Sequence, residues 1–260
     1  MESLLKCNVV ESTPSSLPDR HFDLYFLNTV EHFAPAVSQK VSEEVIMPHT
    51  LPYLAADLEP SLHAHFEAAH SVMLAIIGSP PSADLGARIL PFYVDSVFKA
   101  FPSALSARQF RLAFGTLIKE CSPPKPISSL QPHLVDVILE ILCERAAQAS
   151  TEALPNLVDE GAVGLSEKDV CILALIDGLP SMEVDIMARW LDPAADLLNT
   201  IRNEGSKQRI RERFWDVLSG ELDVERAEIA ARWWTSMGGR GRVVFGSTKS
   251  EGAKSVRAML

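Results

Sequence analysis

Two imidazoles and a carboxylate stand at helical spacing near the end of the first quarter of the chain. His63, Glu67 and His70 fall at i, i+4 and i+7 within SLHAHFEAAHS, so on a helix they share one face. Such a trio has the chemistry of a zinc site. It lacks the further ligand and the general base that a His-Glu-x-x-His helix brings, and no other cluster in the chain supplies them. His63, His65 and His70 therefore read as helix-surface and core histidines, and no metal is expected. Gly238-Gly239-Arg240-Gly241-Arg242 resembles a phosphate-cradling loop, but no strand leads into it and no helix clearly follows. A helix stop with a turn is the better reading. There is no Gly-x-Ser-x-Gly elbow, no Walker loop and no dinucleotide fingerprint. Cys7, Cys121, Cys143 and Cys171 are scattered, with no Cys-x-x-Cys pair, and read as reduced core residues. The residues thus assign no catalytic, cofactor-binding or metal-ligating position, and a non-enzymatic chain without cofactor is expected.

One constellation remains. Arg232, Trp233 and Trp234 precede the glycine turn, and Arg240 and Arg242 lie within it. Adjacent tryptophans on a helix cannot face the same core. One is expected to pack inward with Phe214 and Trp215; the other is a candidate anchor, since Trp and Arg are enriched at interface hot spots, although plain packing of both is the preferred reading. These five residues are the candidate partner contact.

The elements that must position them are helices. Leu90, Tyr93, Val94, Val97, Phe98 and Phe101 recur at i, i+3, i+4, i+7, i+8 and i+11. Phe110, Ala113, Phe114, Leu117 and Ile118 repeat the pattern, and so do Leu134, Val137, Ile138, Ile141 and Leu142. Each set forms one apolar stripe on a helix of 3.6 residues per turn. Most of the 17 prolines punctuate the stripes. The spacing predicts helices over about 21–46 (broken at Pro35 and ended by Pro48 and Pro52), 57–77, 84–101, 107–120, 127–149, 166–177 and 184–201. Two more follow, one around Ile210 to Leu218 and stopped by Gly220, the other from Asp223 to the glycine turn. Asp84, Ser106, Ser166 (with Asp169) and Asp223 are expected to cap. Val243–Phe245 is the one candidate strand. Helix pairs of about 40 residues indicate an all-α, irregular HEAT/armadillo-like superhelix of antiparallel pairs, with a globular bundle as the other option. Residues 1–20 are expected to be a disordered segment, 21–246 the helical domain with a loop at about 151–165, and 247–260 a flexible tail.

The 260 residues carry a net charge of −10. Residues 1–200 hold 12 Lys+Arg against 26 Asp+Glu, and residues 201–260 hold 12 against 8. An acidic body argues against nucleic-acid binding, which needs a basic face. The longest apolar run, about Val72 to Ile77, is far short of the roughly 20 residues of a membrane span. The first ten residues do not form a secretory signal.

Several segments resemble the carboxy-terminal region of the fungal peroxin-eight (peroxisomal biogenesis factor eight) family. They are Glu67–Ala75, Leu90–Phe101, Leu105–Phe114, Ser122–Pro126, Ala174–Leu179, Glu212–Gly220 and Ala231–Gly246, and they occur in family order. The resemblance implies an α-helical, repeat-like, non-enzymatic scaffold, peripheral on the lumenal side of the peroxisomal membrane. It implies links to the receptor-docking and RING complexes and binding of the import receptor, with membrane association through those protein partners. The sequence is short against the family, whose members usually carry a long additional amino-terminal region. It also ends Ala258-Met259-Leu260, where a peroxisomal signal would carry a basic residue in place of Met259. The tripeptide is a degenerate candidate signal. The alternatives are a cytosolic α-solenoid adaptor and a helical metalloprotein using the His63/Glu67/His70 face.

Overall fold

A computed structural model describes residues 17–54, 59–154 and 164–246. Cys7, residues 1–16 of the segment 1–20 expected to be disordered, the middle of the 151–165 loop, the expected tail and Ala258-Met259-Leu260 lie outside the described residues, while residues 17–20 of that segment already belong to the first helix. The chain divides into two compact units between Val135 and Asp136. Both are all-α, and the described residues contain no strand. The only extended pairing among them is an isolated bridge between Ala153 and Ser166.

Unit one opens with α1 (Leu17–Phe33), whose Asp23 and Leu27 face inward. A 3-10 turn at Ala34–Ala36 holds Pro35 and marks the expected break. The chain then runs through α2 (Gln39–Val41), a π turn (Ser42–Ile46) and α3 (Met47–Thr50). Pro48 does not end this helix as expected. It sits in the first turn of α3, a position that tolerates a residue without an N–H. A further 3-10 turn, Leu51–Leu54, contains Pro52.

α4 (His63–Ile77) is the centre of the unit and packs against α1, α5 (Ala83–Ala100) and α6 (Ala107–Glu120). Its buried residues, from His65 to Ile77, join Tyr93, Val97, Phe110, Phe114 and Leu117 in one core. The Phe110 stripe is buried throughout, and in the Leu90 stripe only Phe98 is partly exposed. Pro91 sits in mid-helix on the exposed side of α5, where water can satisfy the carbonyl that loses its donor. Ser106 caps α6 in a reciprocal box with Gln109, at 3.2 and 2.9 Å. Asp84 is not a cap. It accepts from Gln39 and pairs with Arg88 instead, while α5 starts from a 3-10 turn at Pro80–Ser82.

The long helix expected over 127–149 is two helices, α7 (Pro126–Leu130) and α8 (Leu134–Gln148). Pro132 cannot donate a helical bond, and it pushes Gln131 out of helical geometry, to φ −139° and ψ 76°.

Unit two takes in α8 from Asp136 onward and α9 (Glu167–Gly178). Ser166 and Asp169 form the second reciprocal box. Every residue of α9 from Asp169 to Ile176 is buried, so α9 is the central post of the unit. Around it stand α10 (Val184–Asn199) and α11 (Glu204–Asp216). α11 continues through a π turn, Val217–Glu221, past the expected stop at Gly220. α12 (Val224–Ser236) is capped by Asp223, and α13 (Gly239–Phe245) packs on α10 and α12. The strand expected at Val243–Phe245 is thus the end of a short helix. Its β-branched residues favour extended backbone only weakly, and packing overrides that preference.

Candidate functional site

The α12–α13 corner is set by Gly238 and Gly239. Gly238 adopts φ +87°, which stops α12, and α13 begins one residue later. A Cβ on Gly239 would lie 2.5 Å from the Trp233 ring, so the indole and the backbone meet there with no room for a side chain.

Trp233 is only 3% exposed. Its ring lies 6.0 Å from that of Phe214, and its Nε1–H donates to Asp192 Oδ1 at 2.7 Å. Arg242 is also turned inward, with its side chain 11% exposed. It donates to both Asp196 carboxylate oxygens at 2.8 Å and lies 3.4 Å from Asp192. Asn199 donates to the Arg242 carbonyl at 2.8 Å, and Arg211 Nε donates to the Val243 carbonyl at 3.0 Å. These bonds are why α13 is a helix held against α10 and α11. They also make Trp233 and Arg242 corner-stones of the unit.

The other three residues of the candidate contact face solvent. Trp234 is half-buried, and its ring lies 5.0 Å from that of Trp215 on α11, which is 48% exposed. The pair forms an outward aromatic corner. Arg240 is exposed, and Arg232 is exposed but donates to Glu228 at 2.6 Å. The adjacent tryptophans therefore do split, one inward toward Phe214 and one outward. Trp215 stands with the outward one. The signal for this is in the sequence: Ile210, Phe214 and Val217 make the inner stripe of α11, and Trp215 lies about 100° off it.

The histidine trio is not brought together as a ligand set. His63 is exposed, with Glu67 3.7 Å away. His70 is buried and shares a 3.0 Å hydrogen bond with the Tyr93 hydroxyl. Burial among apolar neighbours holds its imidazole down to about 4. No group of three or more His, Cys, Asp or Glu among the described residues is arranged to hold a metal ion. His65 serves the core: it bonds the Arg20 carbonyl at 2.8 Å and stacks on Tyr53 at 5.0 Å. Tyr53 in turn donates to Asp23 at 2.6 Å. That buried pair was not legible in the sequence, because Asp23 and Tyr53 lie thirty residues apart with no periodicity linking them.

Cys121, Cys143 and Cys171 are free thiols. Burial pushes them up to about 12, 11 and 12, with nearby carboxylates adding to the effect. Thiols held so high are poor nucleophiles near neutral pH. No described helix is long and apolar enough to cross a membrane.

Comparison with known proteins meets this picture from outside. Residues 1–78 match the family model of the PEX8 central TPR-like domain, and residues 84–237 match that of the PEX8 C-terminal domain. The chain is 26% identical over 239 residues to the peroxisomal membrane protein PEX17 of Yarrowia lipolytica, covering 85% of this chain and 36% of that protein. It is 25% identical over 289 residues to peroxisomal biogenesis factor 8 of Komagataella phaffii, covering 90% and 40%. For peroxisomal biogenesis factor 8 of Pichia angusta the identity is 24% over 255 residues, covering 90% and 38%. The chain thus spans between 36 and 40% of the length of these relatives. No solved structure matches. The C-terminal match alone takes in α5 to α12, more than half the chain and every helix that builds the Trp233 corner except α13, and on that ground the chain belongs to the PEX8 family.

Proposed function

We propose that this chain is a non-enzymatic scaffold of peroxisome biogenesis that supports matrix-protein import. In this reading it links the receptor-docking and RING complexes, binds the import receptor, and sits peripherally on the lumenal side of the peroxisomal membrane through its protein partners. The observation that carries the reading is the family match over residues 84–237, with relatives named as a peroxisomal biogenesis factor and a peroxisomal membrane protein. The geometry supports it in kind. Packed helix pairs offer extended faces, and Trp233 with Asp192 and Ser166 with Asp169 serve packing and caps.

The contact surface in this reading is the outward part of the α12–α13 corner: Trp234 with Trp215, Arg232 and Arg240. Trp233 and Arg242 hold it in shape. The test is recovery of peroxisomal docking and RING proteins from cells on an amino-terminally tagged chain, which leaves Leu260 free. Trp234→Ala with Arg240→Ala should cut recovery several-fold while far-ultraviolet dichroism stays at wild type. Unchanged recovery removes this corner as the contact. A wild-type chain that stays cytosolic and recovers no peroxisomal protein sinks the whole reading. Deleting Ala258–Leu260 from the same tagged chain asks whether the degenerate signal directs it. Loss of peroxisomal targeting assigns the tripeptide that role, and unchanged targeting removes it.

A further inference from the structure

α1 hides one side against α4 and shows aromatic rings on the other. Phe22, Tyr25 and Phe33 stand at i, i+3 and i+11 and are 64%, 71% and 58% exposed. Steps of about 100° per residue put all three within roughly 80° of one another around the helix. Thr29 lies in the same band and turns its hydroxyl back to the Tyr25 carbonyl, at 2.7 Å. A buried aromatic ring takes about 150–250 Å² out of water. Three rings in one band therefore make a patch of the size that marks an interaction site.

The chain itself brings a cover to this place. α1 starts at Leu17, so the residues before it leave from the end that carries Phe22. Among them Met1, Leu4, Leu5 and Val9 fall at i, i+3, i+4 and i+8, one side of a helix. The Ser and Pro residues that read as disordered are confined to 12–18. The match to the TPR-like domain model begins at residue 1, ahead of α1. Repeats of that kind are helix–turn–helix units of about 34 residues. A unit of that length closing at the Pro35 turn takes in residues 1–11, the Ser12–Ser16 link and α1.

We infer that residues 1–11 return antiparallel along α1 as the first helix of this unit. Met1, Leu4, Leu5 and Val9 then lie on the Phe22–Tyr25 band. The Ser12–Ser16 link has an ordinary length for a helix–helix connection. Eleven helical residues rise about 16 Å, enough to pass Phe22 and Tyr25 and run on toward Phe33. The tether selects this occupant over a second copy. A segment joined by a short link meets the face at an effective concentration in the millimolar range, and a separate chain does so only in concentrated solution. The contact lies within unit one and does not depend on the import reading.

The test is hydrogen–deuterium exchange of the full chain, read by mass spectrometry at low and at high micromolar concentration. A helix this short is marginal on its own in water, so slow exchange over residues 2–11 reports docking. Those amides should exchange at least about tenfold more slowly than in a synthetic peptide of residues 1–16. Phe22→Ser with Tyr25→Ser should return them to the peptide rate. Leu5→Ser with Val9→Ser, which leaves every residue of α1 in place, should do the same. In both variants the amides of α4 should stay as protected as in wild type. Peptide-like exchange in the wild-type chain overturns the proposal, and so does protection that survives the Leu5/Val9 variant. Protection that grows with concentration, together with a dimer in sedimentation, assigns the face to a second copy and overturns it as well.

Discussion

Each aromatic or charged residue of the inner corner has one job that its neighbours define. Gly239 is glycine because the Trp233 ring occupies the place of a Cβ. Gly239→Ala should cost about 1–3 kcal/mol in urea unfolding and change the near-ultraviolet dichroism of the tryptophans. A stability equal to wild type would mean that the indole can move aside freely. His70 offers a pH test. Its imidazole titrates at about 4 in the folded chain and near 6.5 when unfolded. Between those values the unfolded chain binds the extra proton, so this contribution is full above about pH 6.5 and is lost as pH falls toward 4. The full span amounts to roughly 3 kcal/mol. His70→Gln retains a partner for the Tyr93 hydroxyl and should flatten the fall of the urea midpoint across that window. An unchanged slope assigns the acid sensitivity to other groups.

At the scale of elements, caps and stripes decide where helices start and which side they hide. Ser106 and Ser166 each close a reciprocal box, but Ser166 and Asp169 are buried whereas Ser106 and Gln109 are partly exposed. Ser106→Ala should cost about 1 kcal/mol. Ser166→Ala should cost more, because the Asp169 amide then loses its partner away from water. Denaturant midpoints with unchanged m values check both. Phe114→Ala, in the middle of a fully buried stripe, should cost about 3–5 kcal/mol by the same measurement. A loss below about half a kcal/mol would show that α6 does not pack as described.

At the scale of the molecule, the acidic balance sets behaviour in solution. With a net charge of −10 near neutrality and a sequence pI of about 5.2, the chain should be least soluble near pH 5. Turbidity against pH at fixed concentration reads this directly. The far-ultraviolet dichroism should be that of an all-α protein, and a spectrum dominated by sheet would contradict both units at once. Family membership adds a scale of its own, since the chain corresponds to little more than a third of the relatives it matches.

The all-α class was legible because helix formation leaves a local trace. Phe110 to Ile118 repeat every 3.6 residues, and Ser106, Ser166 and Asp223 mark helix starts by types and spacing that need only neighbouring backbone. That Trp233 and Trp234 cannot face the same core was legible for the same reason, as they stand about 100° apart. That Trp233 is buried against Phe214 while Trp234 stands outward with Trp215 was not, since packing of both is the preferred reading of the sequence. What lay beyond the sequence depended on partners distant along the chain. Val243 to Phe245 are helical because Arg211 and Asn199 bind the carbonyls of Val243 and Arg242, and Arg242 reaches two aspartates of α10. Val137 and Ile141 share a periodic stripe with Ile138 and Leu142, yet only the latter two are buried. A stripe wide enough to straddle the helix leaves the buried side undetermined by its own spacing, and only the helices packed around it decide.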